Sequence, residues 1–219
     1  PAITVIVETE YDADLQAMTE RKLAETVSES RATSGVAIAL DIKTGEVLAM
    51  ANAPSFDPNN IASARNEDLF NRAITQAYEP GSVQKVITLA ALMDAGLITP
   101  DTRLIVPPTI QSGGNTVKDV WKHGYANVTA RGVLAYSSNI GTIMMTREMD
   151  KAAYRESLIR MGLGQRTGIE LPGEATGFVP PSDMPDYTRD QISFGQGLSV
   201  TAIQNAAAIA GILNGGIYN

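Results

Sequence analysis

Apolar residues recur along this chain at more than one period, and the changes of period divide it into elements. A β-branched run over residues 3–7 predicts a short strand. Tyr11, Leu15, Met18, Leu23 and Val27 then stand at roughly helical spacing with charged residues between them, which predicts a helix over about residues 12–30. Residues 35–40 and 46–51 are short apolar runs separated by Asp41-Ile42-Lys43-Thr44-Gly45, whose turn chemistry predicts a β-hairpin of two buried strands. Two prolines make 53–59 a loop, and 65–79 has no clear period. Pro80-Gly81 is strong punctuation. A helix follows it, with Val83, Val86, Ile87, Ala90 and Leu97 on its apolar face and Gly96 at its end. Residues 100–127 read as loops with small strands. Thr129 is placed to cap a short helix to Tyr136, a second helix runs from about Asn139 to Met149, and a third spans 151–161 and stops at Gly162. The Gly- and Pro-rich stretch 164–190 is expected to be mostly irregular. Thr201 and Gln204 form a capping-box pattern that opens a last helix of small apolar residues, ended by Asn214-Gly215-Gly216.

Composition narrows the chemistry. With 219 residues, 44% apolar and 19% charged, the chain has ordinary globular composition and enough length to bury a core. Its net charge of −7 and the lack of a basic stripe argue against nucleic acid as a partner. There is no cysteine, which removes disulfides, thiolate nucleophiles and Cys-based zinc sites. The single histidine, His123, excludes a two-histidine metal site within the chain, and a Ser-His-Asp triad would have to run through it. Standing alone in a loop region, it reads as structural or surface. No apolar run approaches the ~20 residues that span a bilayer, and no basic-then-apolar leader is visible. The opening Pro1 and the closing residues 217–219 read as the ends of a fragment, with any anchor or leader outside it.

Three short motifs could carry chemistry. In Ser82-Val83-Gln84-Lys85 the serine and lysine share a helix face. A serine hydroxyl needs a base to act as a nucleophile, and a lysine is that base only when its pKa is pulled down. Burial and the positive end of a helix both do this, and Pro80-Gly81 puts Ser82 at or near such an end. The plainer reading is an N-cap serine with a surface lysine. Ser137-Ser138-Asn139 falls between two predicted helices. It is either an N-cap cluster or a pair, Ser137 and Asn139, that points into a site to relay protons and hold a substrate amide. Lys43-Thr44-Gly45 accompanies Ser-x-x-Lys in one enzyme group, but here it fills a hairpin tip ahead of Ser82, so it reads as a turn. Gly162 to Gly168 misses the spacing of a nucleotide loop and reads as a helix stop. Phe194-Gly195-Gln196-Gly197 reads either as a tight turn or as backbone lining a cleft.

These segments together resemble the transpeptidase domain of class B penicillin-binding proteins. The ordered series is Thr44–Met50, Pro54–Asn59, Asn71-Arg-Ala73, Tyr78-Glu-Pro-Gly-Ser82 with Lys85, Ser137-Ser-Asn139, Leu171-Pro-Gly-Glu174, Gly195-Gln-Gly197 and Asn214-Gly-Gly216. It covers the chain from about residue 10 to its end, and the wording around Ser82 looks most like the division-type enzymes of actinobacteria. The resemblance implies an α/β (α+β) penicillin-binding/β-lactamase-like fold. An antiparallel sheet would pack on helices in an α/β part (about 1–60 and 197–219), beside a mostly helical part (about 61–196), with the active site between them. It implies Ser82 as the acylated nucleophile, Lys85 as its general base, and Ser137 and Asn139 as a second motif, with Gly195, Gln196 and Gly197 as candidates for substrate contact. The expected substrate is the D-Ala-D-Ala end of a peptidoglycan stem peptide, with β-lactams as acylating mimics and no metal or organic cofactor.

One departure is large. Lys-Thr-Gly followed by Thr or Ser does not occur after Asn139, so the C-terminal strands of the family domain are expected to be missing. The hairpin would then keep an unpaired edge that another segment or a second copy should cover. The alternatives are a serine β-lactamase or D,D-carboxypeptidase of the same superfold, for which Glu170 and Glu174 are possible water-activating bases, or a non-catalytic module in this truncated form, either a β-lactam sensor or a structural partner in a division complex. By analogy the domain is expected on the extracytoplasmic face of the bacterial cytoplasmic membrane, held by an anchor outside this chain. Possible partners there are cell-division or elongation proteins.

Overall fold

The computed structural model describes residues 12–218, so the strand expected over 3–7 lies outside the described residues. Helix α1 (Ala13–Ser30) starts where the Asp12 carboxylate accepts from the Leu15 N–H, and it ends at Arg31 in the left-handed region. It lies along β2 (Val47–Ala53), which pairs antiparallel with β1 (Gly35–Leu40). The hairpin tip is built by Asp41, whose Oδ1 accepts from the Lys43 and Thr44 N–H groups at 2.8 and 3.1 Å. Lys43-Thr44-Gly45 is thus a turn, as its position predicts.

The hairpin's two edges differ. Along β2, Gln16 behaves like a residue of a third strand. Its amide accepts from Met50 N–H at 2.8 Å and donates to Met50 O at 3.0 Å, while Asp12 N–H donates to Leu48 O. Beside β1 no further strand stands among the described residues. This corrects one expectation: β2 is largely buried, but every residue of β1 is only half-buried, because α1 meets it at Gly35, the cluster with Ile203 of α8 meets it at Val36 and Ile38, and among the described residues no strand flanks its outer edge.

The unpatterned stretch after the hairpin forms two short 3-10 turns and α2 (Arg72–Thr75). Asn71 caps α2 and also accepts from the Asn52 side chain at 2.9 Å, tying α2 to β2. A 3-10 turn over Gly81–Val83 leads into α3 (Gln84–Asp94). Next come two small antiparallel ribbons. β3 (Arg103–Val106) pairs with β6 (Ala126–Thr129), and β4 (Ile110–Ser112) pairs with β5 (Asn115–Val117). Helices α4 (Ala130–Ala135), α5 (Asn139–Thr146) and α6 (Lys151–Arg160) follow, capped by Thr129, Ser138 and Asp150. Helix α7 (Asp186–Ser193) occupies the end of the stretch expected to be irregular. α8 (Ala202–Leu213) opens with the predicted Thr201/Gln204 capping box.

The apolar face assigned to α3 is rotated in the structure. Val83 and Leu97 are exposed, while Gln84, Lys85 and Thr88 are buried beside Ile87, Leu89 and Leu92. Apolar periodicity alone misses this face because polar side chains turn inward there. The larger core cluster gathers Ile87, Leu92, Val133, Tyr154, Leu158, Leu163, Ile192 and Leu198. A smaller cluster of Met50, Ala73, Ile74 and Ile203 lies against the hairpin. Helix α8 contributes Ala208 to the first and Ile203 to the second, and so joins them. The described residues therefore form a mixed α/β arrangement in which small antiparallel sheets pack on helices.

The segment 195–200 backs the turn that holds Ser82. Val200 and Tyr78 exchange backbone hydrogen bonds, and Gly81 N–H donates to Gly195 O at 3.0 Å. Glu79 Oε1 accepts from Gly197 N–H at 2.8 Å. Gly195 has a φ of +90°, and a Cβ placed on it would stand 2.0 Å from Gly81 O. No side chain fits so close a backbone approach. Gly195→Ala is therefore expected to destabilise the fold by about 2–3 kcal/mol. A urea unfolding midpoint equal to that of the unmodified protein would contradict this packing.

Candidate active site

Three backbone features bring the sequence-predicted residues together. Ser82 sits exposed in the 3-10 turn, one residue after the Gly81–Gly195 contact. Lys85 lies three residues on, in the first turn of α3, and its residue exposure is 0%. Ser137 belongs to the turn between α4 and α5. There the N–H groups of Ser137 and Ser138 return to the carbonyls of Leu134 and Val133, which closes α4 with a Schellman-type cap. That cap places Ser137 at φ 52°, a position usually given to glycine. The left-handed conformation costs a non-glycine residue about 1–2 kcal/mol. A serine kept there needs a local use for its side chain, and one is visible.

Lys85 Nζ donates to Ser82 Oγ at 3.0 Å, to Ser137 O at 2.7 Å and to Ser137 Oγ at 2.9 Å. Three acceptors saturate an ammonium. A neutral amine has two N–H bonds and one lone pair. The two oxygens of Ser137 match the two N–H bonds, which turns the lone pair toward the Ser82 hydroxyl. Burial favours this neutral form and lowers the Lys85 pKa from 10.5 to about 8, while the charge on Asp119 acts in the opposite direction. The arrangement can take a proton from a serine hydroxyl while that oxygen stays open to solvent and substrate.

Asn139 is the first residue of α5 and is half-buried, but the bonds that reach Lys85 come from Ser137. Gly195 is buried against Gly81, whereas Gln196 and Gly197 are exposed next to the Ser82 turn. Glu174 is buried far along the chain, with its Oε1 accepting from Thr167 N–H and hydroxyl at 2.6 and 2.7 Å, and Glu170 is exposed. Among the described residues, no carboxylate hydrogen-bonds to Ser82 or Lys85. Nor do three or more metal-ligating side chains converge there.

Sequence reasoning missed Asp119. Its side chain is 0% exposed. It accepts from the Ser138 hydroxyl at 2.6 Å and from Ile140 N–H at 3.0 Å, and its Oδ2 lies 3.1 Å from His123 Nε2. Asp119 stands 19 residues before Ser138 in a loop without periodicity, so no spacing rule points to the pair. His123, read as structural or surface, is a structural partner of this carboxylate.

A profile described as the penicillin-binding protein transpeptidase domain matches residues 35–219. The penicillin-binding protein PbpB of Mycobacterium tuberculosis is 42% identical over 208 residues, which are 94% of this chain and 31% of that protein. PbpB of Mycolicibacterium smegmatis is 39% identical, over 96% of this chain and 33% of that protein. The peptidoglycan D,D-transpeptidase FtsI of Escherichia coli K12 is 38% identical, over 94% and 35%. The crystal structure of penicillin-binding protein 3 from Mycobacterium tuberculosis complexed with aztreonam superposes with a TM-score of 0.88 at 41% identity. It covers 93% of this chain and 46% of that one. The mixed α/β fold is that of the penicillin-binding transpeptidase class of protein. The chain belongs to the penicillin-binding protein transpeptidase domain family and is closely related to the mycobacterial PbpB proteins. It spans about a third of the length of these curated relatives.

The site makes one prediction independent of substrate. Lysine side-chain NMR should show one amine titrating near pH 8 rather than at its ordinary 10.5, and that signal should vanish in Lys85→Arg. Lysines that all titrate at the ordinary value would contradict the buried-amine geometry.

Proposed function

We propose that this domain is the catalytic part of a peptidoglycan D,D-transpeptidase that cross-links stem peptides through an acyl-enzyme on Ser82. The observation that carries the reading is the Lys85 amine, buried and held by Ser137 with Ser82 at 3.0 Å. Ser82 Oγ attacks the carbonyl carbon of the penultimate D-Ala as Lys85 Nζ takes the hydroxyl proton. The C–N bond then breaks, and the terminal D-Ala leaves as an amine after receiving a proton. Ser137 Oγ, bonded to Lys85, is placed to pass that proton. Asn139 holds the substrate amide, and Gly195, Gln196 and Gly197 border the opposite rim. An amine from a neighbouring stem peptide finally attacks the ester carbonyl; the new C–N bond forms as the C–O bond to Ser82 breaks, and the amine's proton passes through Lys85 to Ser82 Oγ.

The family and the relatives' names support this reading over the other enzymes of the superfold, and so does the position of the acids. A β-lactamase needs a group that activates water against the ester. Glu174 is engaged by Thr167 instead. We place the division between an α/β part (about 1–60 and 197–219) and a helical part (about 61–196) near Ser82. The packing of Ile203 of α8 with Met50 of the hairpin supports joining 197–219 to the first part. The setting we infer is the extracytoplasmic face of the cytoplasmic membrane, among division proteins. No helix of the described residues is long and apolar enough to cross a membrane, so an anchor would lie elsewhere.

Incubation of the intact protein with benzylpenicillin should give one covalent adduct, mapped by mass to Ser82 and lost in Ser82→Ala. The adduct should persist far longer than a β-lactamase ester. No adduct on folded protein would overturn the reading, and rapid release of hydrolysed penicillin would turn it into a β-lactamase.

A further inference from the structure

We propose that Asp119 is a positioning residue for acylation, fixing the turn between α4 and α5 so that both oxygens of Ser137 stay on Lys85. The proposal rests on the serine–lysine reading above. It starts from how completely the carboxylate is used. Oδ1 accepts from Ile140 N–H at 3.0 Å, and Oδ2 accepts from the Ser138 hydroxyl at 2.6 Å. These two contacts lie on the α5 side of Ser137. Ser138 Oγ also accepts from Gly141 N–H at 2.9 Å, so its hydrogen has one direction left, toward Asp119. The N-cap of α5 is thus oriented by a charge rather than by its own helix alone.

The other side of the carboxylate is fixed by the loop that carries it. His123 Nε2 lies 3.1 Å from Oδ2, and its Nδ1 lies 2.7 Å from Gly124 O. The imidazole stacks on Trp121 with ring centroids 3.9 Å apart, and Trp121 meets Tyr136 at 5.1 Å. Tyr136 is the residue before Ser137. The loop therefore grips the turn twice, by an aromatic stack on the α4 side and by the Asp119 carboxylate on the α5 side. Between these two contacts lies Ser137, in its left-handed conformation. A 1 Å displacement of such a group can cost about a hundred-fold in rate.

An asparagine has the same shape but only one acceptor oxygen, so it cannot receive both the Ser138 hydroxyl and the Ile140 N–H. The charge has a second effect: it stabilises the protonated form of Lys85 and so opposes burial. Other charged and titratable groups on the elements packed around this region face different partners. Arg131 of α4 pairs with Asp101, Arg147 of α5 with Asp190 of α7, and Arg160 of α6 with Asp94 at the far end of α3. Tyr154 of α6 bonds Thr88. On the loop itself, Lys118 and Lys122 are exposed.

The test is the second-order rate of acylation of the intact protein by benzylpenicillin as a function of pH. In Asp119→Asn the plateau rate should fall about ten-fold or more. Loss of the negative charge should also move the rise toward lower pH by about one unit, since Lys85 then deprotonates sooner. Ser138→Ala keeps the charge but removes one contact, so it should lower the plateau and leave the pH of the rise in place. It also serves if Asp119→Asn does not fold. An Asp119→Asn protein with an unchanged plateau, or with a lowered plateau and an unmoved rise, overturns the proposal, as does an unchanged plateau in Ser138→Ala. If the unmodified protein is not acylated at all, the serine–lysine reading fails instead. The Lys85 NMR titration then reads the charge of Asp119 by itself, and a midpoint that does not fall in Asp119→Asn overturns the proposal.

Discussion

A lysine amine taken out of water and held between two serines is the constraint around which the rest of this structure is arranged. Lys85 comes from the first turn of α3, and its partners on Ser137 are 52 residues further along the chain. An unpaired buried amine would be costly, so the fold supplies three oxygen partners within 3.0 Å. Burial makes the amine a usable base near neutral pH, and the partners decide where its lone pair points. Neither condition suffices alone. A buried lysine without Ser137 would have no preferred direction, and an exposed one beside Ser82 would stay protonated.

Holding that geometry requires local conformations that the chain would not adopt by preference. Ser137 occupies the left-handed residue of the α4 cap, where glycine is the usual choice. Backbone strain of this kind persists where surrounding contacts over-determine it. Here those contacts include the Schellman-type bonds, the α5 N-cap on Ser138 and the buried Asp119 beneath it. On the other side of Ser82, the backbone of Gly195 comes too close to Gly81 for any side chain. The turn of Ser82 is thus braced by segment 195–200, and Lys85 is braced by the α4–α5 turn.

Much of this was legible in the sequence because it is local. The capping box at Thr201, the caps at Thr129 and Ser138, the hairpin about Asp41 and the serine–lysine spacing are all features of short windows. The ordered series of motifs placed Ser137 in the same site as Lys85, which spacing could not do. What escaped were features set by distant packing. The buried face of α3 is partly polar, with Lys85 turned to Ser137 and Thr88 to Tyr154 and Ser193, so the apolar pattern pointed to Val83 and Leu97, which are exposed. Helix α7 begins after Pro185 within a Gly- and Pro-rich stretch, so composition concealed it. The half-buried state of β1 depends on what flanks its edge, and Asp119 lies in a loop whose partners are contributed by another element.

The most direct test of the central claim is a double-mutant cycle between Lys85 and Ser137, read as the acylation rate of Lys85→Ala, Ser137→Ala and the double variant. Groups that act as a unit are strongly non-additive. If Ser137 serves by directing the Lys85 amine, the double variant is no slower than Lys85→Ala alone. Losses that simply multiply would mean that the two residues act independently, and would contradict the account.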